Sequence, residues 1–400
     1  MKRLIYLFTV LLMVSSCKKD DPDPTDEDPT QAMRIEDDVT TNTTWENRVD
    51  NPDEPDYIIA NNINVDAALV IAEGVRIEME SGVSVEVRSS GSLHAAGSAT
   101  EPVVFTGVQA TAGYWDVLEF NSNNPENLLS HCRIEYGGGS VTYKNSMVWL
   151  QNSNNAQVGI DNTTFTGSMG HGLYAESGTE FSAFSNNTFS ANGAEGLAIF
   201  ANHIGSLDET SDYDNENEAS FILVGGSTFA STTTVPATNA AFLMDGNFDI
   251  EADVIVSPGT TFRMGSSASI EVHSDGSLNC VGTDGNMIRF LGEVETDSYW
   301  DVIEFDSNNP HNKFHYVEVA HGGGSSTYEY SSIWLQNSNN GQLELQNSLV
   351  RMSGGWGLYV EAGTTIIPGT IVDLLSSNTF ENNGLNSSSD CTGGCDIFLP

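Results

Sequence analysis

The chain contains two copies of one long pattern, and this duplication limits the folds that it can adopt. Residues 113–127 read GYWDVLEFNSNNPEN and residues 298–312 read SYWDVIEFDSNNPHN, so 11 of 15 positions are identical. Trp115 and Trp300 are 185 positions apart, and the same spacing relates WLQNSNN at 149–155 to WLQNSNN at 334–340. Repeats of this kind are typical of architectures in which one unit stacks on the next. We therefore expect two related halves.

A shorter period runs inside each half. Phe165 and Phe189 are 24 positions apart, and short apolar segments such as VRIEM, VLEF and GLYA end at Gly, Asn or Ser. Apolar residues alternate within these segments, which indicates strands. Strands this short bury a core only when they are stacked as successive turns of a coil. The sequence therefore predicts an all-β fold: a right-handed single-stranded parallel β-helix, built from two duplicated halves at an offset of 185 residues.

The sequences of the repeats also resemble those of a known family. The phrases YWDVLEF and NNTFSANGAEGLA resemble the right-handed β-helix repeats of the pectate-lyase-like superfold. They are most similar to the surface lipoprotein versions found in Bacteroidetes. The resemblance covers nearly all of residues 38–400 and implies the fold. It does not select a function, because this architecture carries lyases, hydrolases, adhesins and passive stalks alike.

The N-terminus has the pattern of an export signal. MKR, the apolar run LIYLFTVLLMV and SSC correspond to the three regions of a signal peptide, which we predict over residues 1–16. The apolar run is too short to span a bilayer. VSSC resembles a bacterial lipobox, in which Cys17 carries the lipid, and the acidic residues 17–38 are predicted to form a flexible tether.

These signals set the expected location and organisation. KKDDPDPTDEDP resembles the export signal of surface lipoproteins, so we expect a monomeric protein that is lipid-anchored at the cell outer membrane and surface-exposed. Beyond the tether, we predict a first β-helix half at 39–205 and an acidic, loop-like seam at 206–225. A second half with a C-terminal cap is predicted at 226–400.

Composition restricts the partners. The formal charge is −41, with only 14 Lys and Arg, so the surface repels phosphate backbones and nucleic acid is excluded as an expected partner. Polyanionic glycans are repelled too unless calcium bridges the two. One segment offers hard oxygen ligands for Ca²⁺, at Asp212, Asp214 and Glu216. The alternative is a solvated acidic insert, since the segment lacks the glycine of an EF-hand loop.

The remaining cysteines separate into two kinds. Cys132 and Cys280 lie inside apolar strand patterns, where a small buried side chain is the default interpretation. Cys391 and Cys395 flank TGG in a compartment that permits oxidation, and we expect a small loop disulfide between them.

Carboxylates that persist through the duplication are the candidates for catalysis. Asp116 and Glu119 recur as Asp301 and Glu304, and alternation places Glu119 on the outer face. Asp116 follows an aromatic pair at a turn, where a carboxylate bonds the next backbone amides, and we favour this structural role over catalysis. A lyase would need grouped basic residues, whereas those of this chain are scattered singly. Whether the protein is an enzyme stays open, and the residues favour a non-catalytic one.

Outward aromatic residues are the candidates for ligand binding. Alternation in MVWLQN and GLYAE points Trp149 and Tyr174 outward from adjacent turns, and the second half repeats this as Trp334 and Tyr359. Such rings stack on sugars. The alternative is that a loop from a neighbouring turn covers them.

Three functions remain open at this stage. The leading hypothesis is a cell-surface lipoprotein whose β-helix binds neutral glycan, a surface protein or another extracellular ligand without catalysis. The second is a carbohydrate-active enzyme, either a polysaccharide hydrolase or a lyase, which requires two outward carboxylates within about 10 Å of each other. The third is a structural or adhesive surface rod.

Overall fold

The chain forms a coil of short strands held together by parallel pairing between successive turns. The computed structural model describes residues 31–384 and 396–400, and its strands form five all-parallel sheets. Val117–Phe120, for example, pairs with Ser84–Val87 on one side and with Ser146–Leu150 on the other. Each strand thus bonds to the turn below and the turn above. The predicted all-β parallel β-helix is confirmed.

Three sheets, named A, B and C, build the first half, and each takes one strand from nearly every turn. Sheet A consists of Met33–Ile35, Tyr57–Ile59, Arg76–Met79, Val103–Gly107, Cys132–Glu135, Thr164–Thr166, Thr188–Ser190 and Asp212–Asn215. Sheet B consists of Ile63–Val65, Ser84–Val87, Val117–Phe120, Ser146–Leu150, His171–Ala175, Glu195–Phe200, Ala219–Gly225, Ala241–Asp245, Thr261–Met264, Ile288–Gly292, Val317–Ala320, Leu349–Arg351 and Thr379–Glu381. Sheet C consists of Thr43–Trp45, Ala68–Ile71, Ser92–Ala96, Leu128–Ser130, Gln157–Asp161 and Glu180–Ser185.

The second half adds two sheets, D and E, beside the continuing sheet B. Sheet D consists of Thr228–Phe229, Asn247–Ile250, Ser269–Val272, Val302–Phe305, Ile333–Leu335, Leu358–Val360 and Ile397–Phe398. Sheet E consists of Thr233–Val235, Asp253–Val256, Ser277–Val281, Lys313–His315, Gln342–Gln346 and Thr365–Ile367. The described helical segments are the α-helices Ala201–Ile204 and Ile371–Ser377 and the 3-10 turns Val141–Tyr143, Asn152–Asn154 and Ser326–Tyr328.

The core runs along the axis of the coil, because each strand points alternate side chains inward. Leu118 and Phe120 belong to the core cluster, as alternation predicted. Aromatic rings on successive turns stack on one another: the ring centroids of Phe165 and Phe189 lie 4.8 Å apart with nearly parallel planes. Stacking along the axis lets turns too short to enclose a core share one.

The duplicated tryptophan of the opening phrase has a structural role. Trp115 and Trp300 have no exposed surface, and their Nε1 atoms donate to the carbonyls of Glu135 and Ala320, each at 2.8 Å. A Cβ at Gly137 would lie 2.7 Å from the Trp115 ring, so only glycine fits against it. The phrase recurs because the turn requires it.

Buried asparagines satisfy the backbone where the coil bends. Asn127 accepts a hydrogen bond from the amide of Leu93 at 3.0 Å and donates to the carbonyls of Ser122 and Gln157, each at 3.0 Å. Buried backbone groups left unpaired would each cost about 1–3 kcal/mol. Asn127 thus provides a partner for one backbone amide and two backbone carbonyls.

The two halves form one continuous coil. Residues 206–225, predicted to be a loop-like seam, contain two strands instead, Asp212–Asn215 and Ala219–Gly225. The second of these pairs with Glu195–Phe200 before it and with Ala241–Asp245 after it. The loop prediction is wrong because buried Tyr213 alternates with the acidic residues, an inward position that the charge of the segment concealed.

The second copy is displaced by one face around the coil. Val117–Phe120 lies in sheet B, whereas its copy Val302–Phe305 lies in sheet D; Cys132–Glu135 lies in sheet A, whereas its copy Val317–Ala320 lies in sheet B. Each turn therefore visits sheets A, B and C in the first half and sheets B, D and E in the second. Matched residues of the two halves consequently lie on different faces.

Candidate functional site

Two matched rows of outward side chains contain most of the predicted site residues. We name them the first row and the second row, and each takes one residue from each of four consecutive strands of one sheet. The first row, on sheet B, is Glu86, Glu119, Trp149 and Tyr174. The second row, on sheet D, is Glu271, Glu304, Trp334 and Tyr359.

The rows exist because the register between turns is exact at these positions. Glu119 is the direct partner of Glu86 on one side and of Trp149 on the other. Their neighbours along each strand, such as Leu118 and Val148, point into the core. Adjacent strands lie about 4.8 Å apart, so each row forms a ladder of two carboxylates followed by two aromatic rings.

The second carboxylate of each row is largely hidden from solvent. Glu119 is 7% exposed and Glu304 is 6% exposed. Burial, reinforced by the charge of the neighbouring Glu86, raises the pKa of Glu119 to about 7. Burial and the charge of Glu271 likewise raise the pKa of Glu304 to about 7. Both groups therefore change their protonation near neutral pH.

The tryptophans lie outside the core, as predicted, but they are not an exposed platform. Trp149 and Trp334 are each 8% exposed. Tyr143, from a 3-10 turn, covers Trp149 with ring centroids 5.9 Å apart, and Tyr328 covers Trp334 at 5.7 Å. The structure therefore shows the alternative that the sequence left open: residues of an adjacent loop cover both rings.

The tyrosines end each row and keep part of their surface. Tyr174 and Tyr359 are half-buried. Tyr174 contacts the rings of His171 and Phe200, with centroids 5.9 and 6.4 Å away. Tyr359 stacks on Phe398 with centroids 4.5 Å apart. Each row thus ends in a small aromatic cluster at the surface.

The structure separates the other catalytic candidates from the rows. Asp116 and Asp301 precede the strands that carry Glu119 and Glu304, and burial raises the pKa of both aspartates. Neither carboxylate forms a hydrogen bond within the described chain, so the expected bonding to the following amides is absent. The carboxylates that act on Glu119 are those of Glu86 and Glu176, rather than that of Asp116.

Glu86 and Glu271 are row members that the sequence analysis did not select. Both persist at the 185-residue spacing, which was the available signal. Their pairing with Glu119 and Glu304 depends on the register between turns. The chain between the paired strands is 29 residues long in each half, and sequence alone does not say which positions it brings side by side.

The proposed calcium ligands are not gathered into a site. The carboxylate of Asp212 accepts a hydrogen bond from the side-chain Nδ2 of Asn239 at 2.7 Å, while Asp214 and Glu216 are exposed. Across residues 31–384 and 396–400, no convergent group of metal-ligating side chains includes these three.

The cysteine predictions are tested in part. Cys132 and Cys280 are free and buried, as predicted. Cys17, Cys391 and Cys395 lie outside the described residues, and so do the signal peptide and most of the tether. The lipid attachment and the small disulfide therefore stay predictions.

Comparisons with known proteins add no relative. No family model, no curated protein and no solved structure matches the chain. Within the described residues, no helix combines the length and apolarity needed to cross a bilayer.

Proposed function

We propose that this protein is a cell-surface lipoprotein whose parallel β-helix binds neutral glycan through the aromatic clusters that end its two rows. One observation carries the proposal: the chain builds the same outward row twice, and both copies end in a half-buried tyrosine packed against further rings. An apolar ring with a hydroxyl at its edge suits a sugar, which presents C–H groups on one face and hydroxyls around it.

Charge and burial support binding to an uncharged polymer. A net charge of −41 disfavours polyanionic ligands. Glu119 and Glu304 are the direct neighbours of Trp149 and Trp334 in the rows. Both carboxylates are almost fully covered, so a polysaccharide has little access to them. The lipid-anchored, outward-facing location follows from the N-terminal sequence pattern and belongs to the same proposal.

A second candidate, a polysaccharide hydrolase, is favoured by the paired carboxylates. Glu86 and Glu119 lie on adjacent strands about 4.8 Å apart, close to the separation of about 5–5.5 Å found in retaining glycosidases. The pKa of Glu119, raised to about 7, suits a general acid. The burial of Glu119, which is 7% exposed, is the argument against this candidate.

The experiment that tests the proposal is a glycan array followed by titration with the best neutral oligosaccharide. Tyr174→Ala and Tyr359→Ala are each expected to weaken binding about tenfold at their row, equivalent to about 1.4 kcal/mol. The double variant is expected to weaken binding about tenfold at both rows. Tyr330→Ala is the control, because Tyr330 is half-exposed and lies outside both rows.

The same samples separate the two candidates. Reducing ends released from the bound polysaccharide would establish the hydrolase, provided that Glu119→Gln combined with Glu304→Gln removes the activity. Binding that is unchanged in the double tyrosine variant would refute the aromatic clusters as the binding site.

A further inference from the structure

Three potential metal ligands converge beside the second row. Asp249 and Glu271 are direct partners on adjacent strands of sheet D, and His273 lies two residues after Glu271. The Nε2 atom of His273 is 2.9 Å from Oδ1 of Asp249. One ligand atom from each of the three residues lies within 4.8 Å of the others.

The cluster is open to ions from solvent. The side chains of His273 and Asp249 are 41% and 45% exposed, while Glu271 is half-buried. An ion can therefore reach the three ligand atoms and keep water molecules on its outer side. This is the arrangement of an open metal site, in which protein ligands occupy only part of the coordination sphere.

At the matched positions of the first row, an arginine lies beside the glutamate in place of the histidine. There, Asn64, Glu86 and Arg88 replace Asp249, Glu271 and His273. Nε of Arg88 donates to Oε2 of Glu86 at 3.2 Å, so a guanidinium supplies positive charge beside the carboxylate. The second row has lost this cation and gained a carboxylate, which makes it more negative by two formal charges with histidine neutral.

Neighbouring groups hold the glutamate in place. The hydroxyl of Tyr328 donates to Oε1 of Glu271 at 2.9 Å, which leaves the second oxygen available. Glu304 is the next residue of the row and adds further negative potential. Hydrogen bonds that orient a ligating carboxylate are a regular part of metal sites.

We propose that Asp249, Glu271 and His273 bind one divalent transition-metal ion, of which Zn²⁺ is the representative. One imidazole with two carboxylates suits zinc and its first-row neighbours better than the all-oxygen shells of calcium. The ion takes the place that Arg88 occupies in the first row. This site lies beyond the proposed glycan function and does not depend on it.

Titration of the metal-free protein with ZnCl₂ tests the site. After chelator treatment and desalting, isothermal titration in about 150 mM NaCl, which screens diffuse charge, should show one saturable equivalent. Asp249→Asn combined with His273→Arg installs the residues of the first row. It should weaken that equivalent by more than the roughly 10- to 100-fold that outer-shell changes cost, with an unchanged circular dichroism spectrum.

The reciprocal variant keeps the test decisive if the first variant folds poorly. Asn64→Asp combined with Arg88→His gives the first row the second row's ligands, and the stoichiometry should rise from one to two. Co²⁺ in place of Zn²⁺ should give visible absorption bands in the wild type that are lost in His273→Ala. The proposal is overturned if the wild type shows no saturable equivalent, if Asp249→Asn with His273→Arg binds equally well, or if the reciprocal variant still binds one ion.

Discussion

The first and second rows are copies whose carboxylates have acquired different surroundings. Both keep two glutamates, a covered tryptophan and a terminal tyrosine in register. The first row balances Glu86 with Arg88, whereas the second row sets His273 and Asp249 beside Glu271. Residues that are identical in the two copies are therefore those that the coil requires for its fold. Positions at which they differ mark where the chemistry has diverged.

The largest expected effect tests whether the halves depend on each other. Trp115→Ala and Trp300→Ala each remove a fully buried ring and its hydrogen bond to a carbonyl, and each should lower the free energy of unfolding by about 3–5 kcal/mol. Because sheet B runs through both halves, denaturant unfolding followed by circular dichroism should stay a single transition in both variants. Two separate transitions would show that the halves are independent.

A smaller effect is expected for the two covered glutamates, in the pH dependence of stability. The pKa of Glu119 and of Glu304 is about 7 against an ordinary 4.5, so the folded state binds more protons between these values, and stability falls as pH rises through that window. Glu119→Gln and Glu304→Gln should each flatten this decline and be more stable than the wild type above pH 7, by roughly 1–3 kcal/mol. Melting curves from pH 4 to 8 measure it. A variant that runs parallel to the wild type would contradict the raised pKa of that glutamate.

The smallest effect separates the two covering tyrosines. Tyr328 donates to Glu271, whereas the matched Tyr143 makes no side-chain hydrogen bond in the described structure, although both cover a tryptophan. Tyr328→Phe should cost about 1 kcal/mol, and Tyr143→Phe should cost almost nothing. Chemical denaturation of the two variants measures the difference. Equal losses of unfolding free energy in the two variants would mean that the hydrogen bond from Tyr328 to Glu271 does not stabilise the fold.

The sequence predicted the coil because its information is local and repeated. Alternation placed Leu118 and Phe120 inward and Glu119 and Trp149 outward, and the structure agrees. It left open whether these outward rings would be exposed or covered, and the structure shows that Tyr143 covers Trp149. The partner of Glu119 was missed for a related reason: register between turns depends on the length and path of the intervening chain.

The seam shows that the charge of a segment does not by itself predict its secondary structure. The acidic residues around Tyr213 suggested a loop, yet a single inward ring and parallel pairing with the preceding turn make the segment part of the coil. In a stacked architecture the neighbouring turns supply most of the pairing energy. A short, highly charged segment can therefore form a strand when its neighbours offer an edge.

The displacement of the second copy by one face has a consequence for valency. Two sites on the same face would engage one extended polymer along its length, and the second contact would benefit from a high effective concentration. Sites on sheets B and D face different directions, so one straight chain does not satisfy both. If both rows bind glycan as proposed, the coil would hold two separate polymer strands and cross-link them.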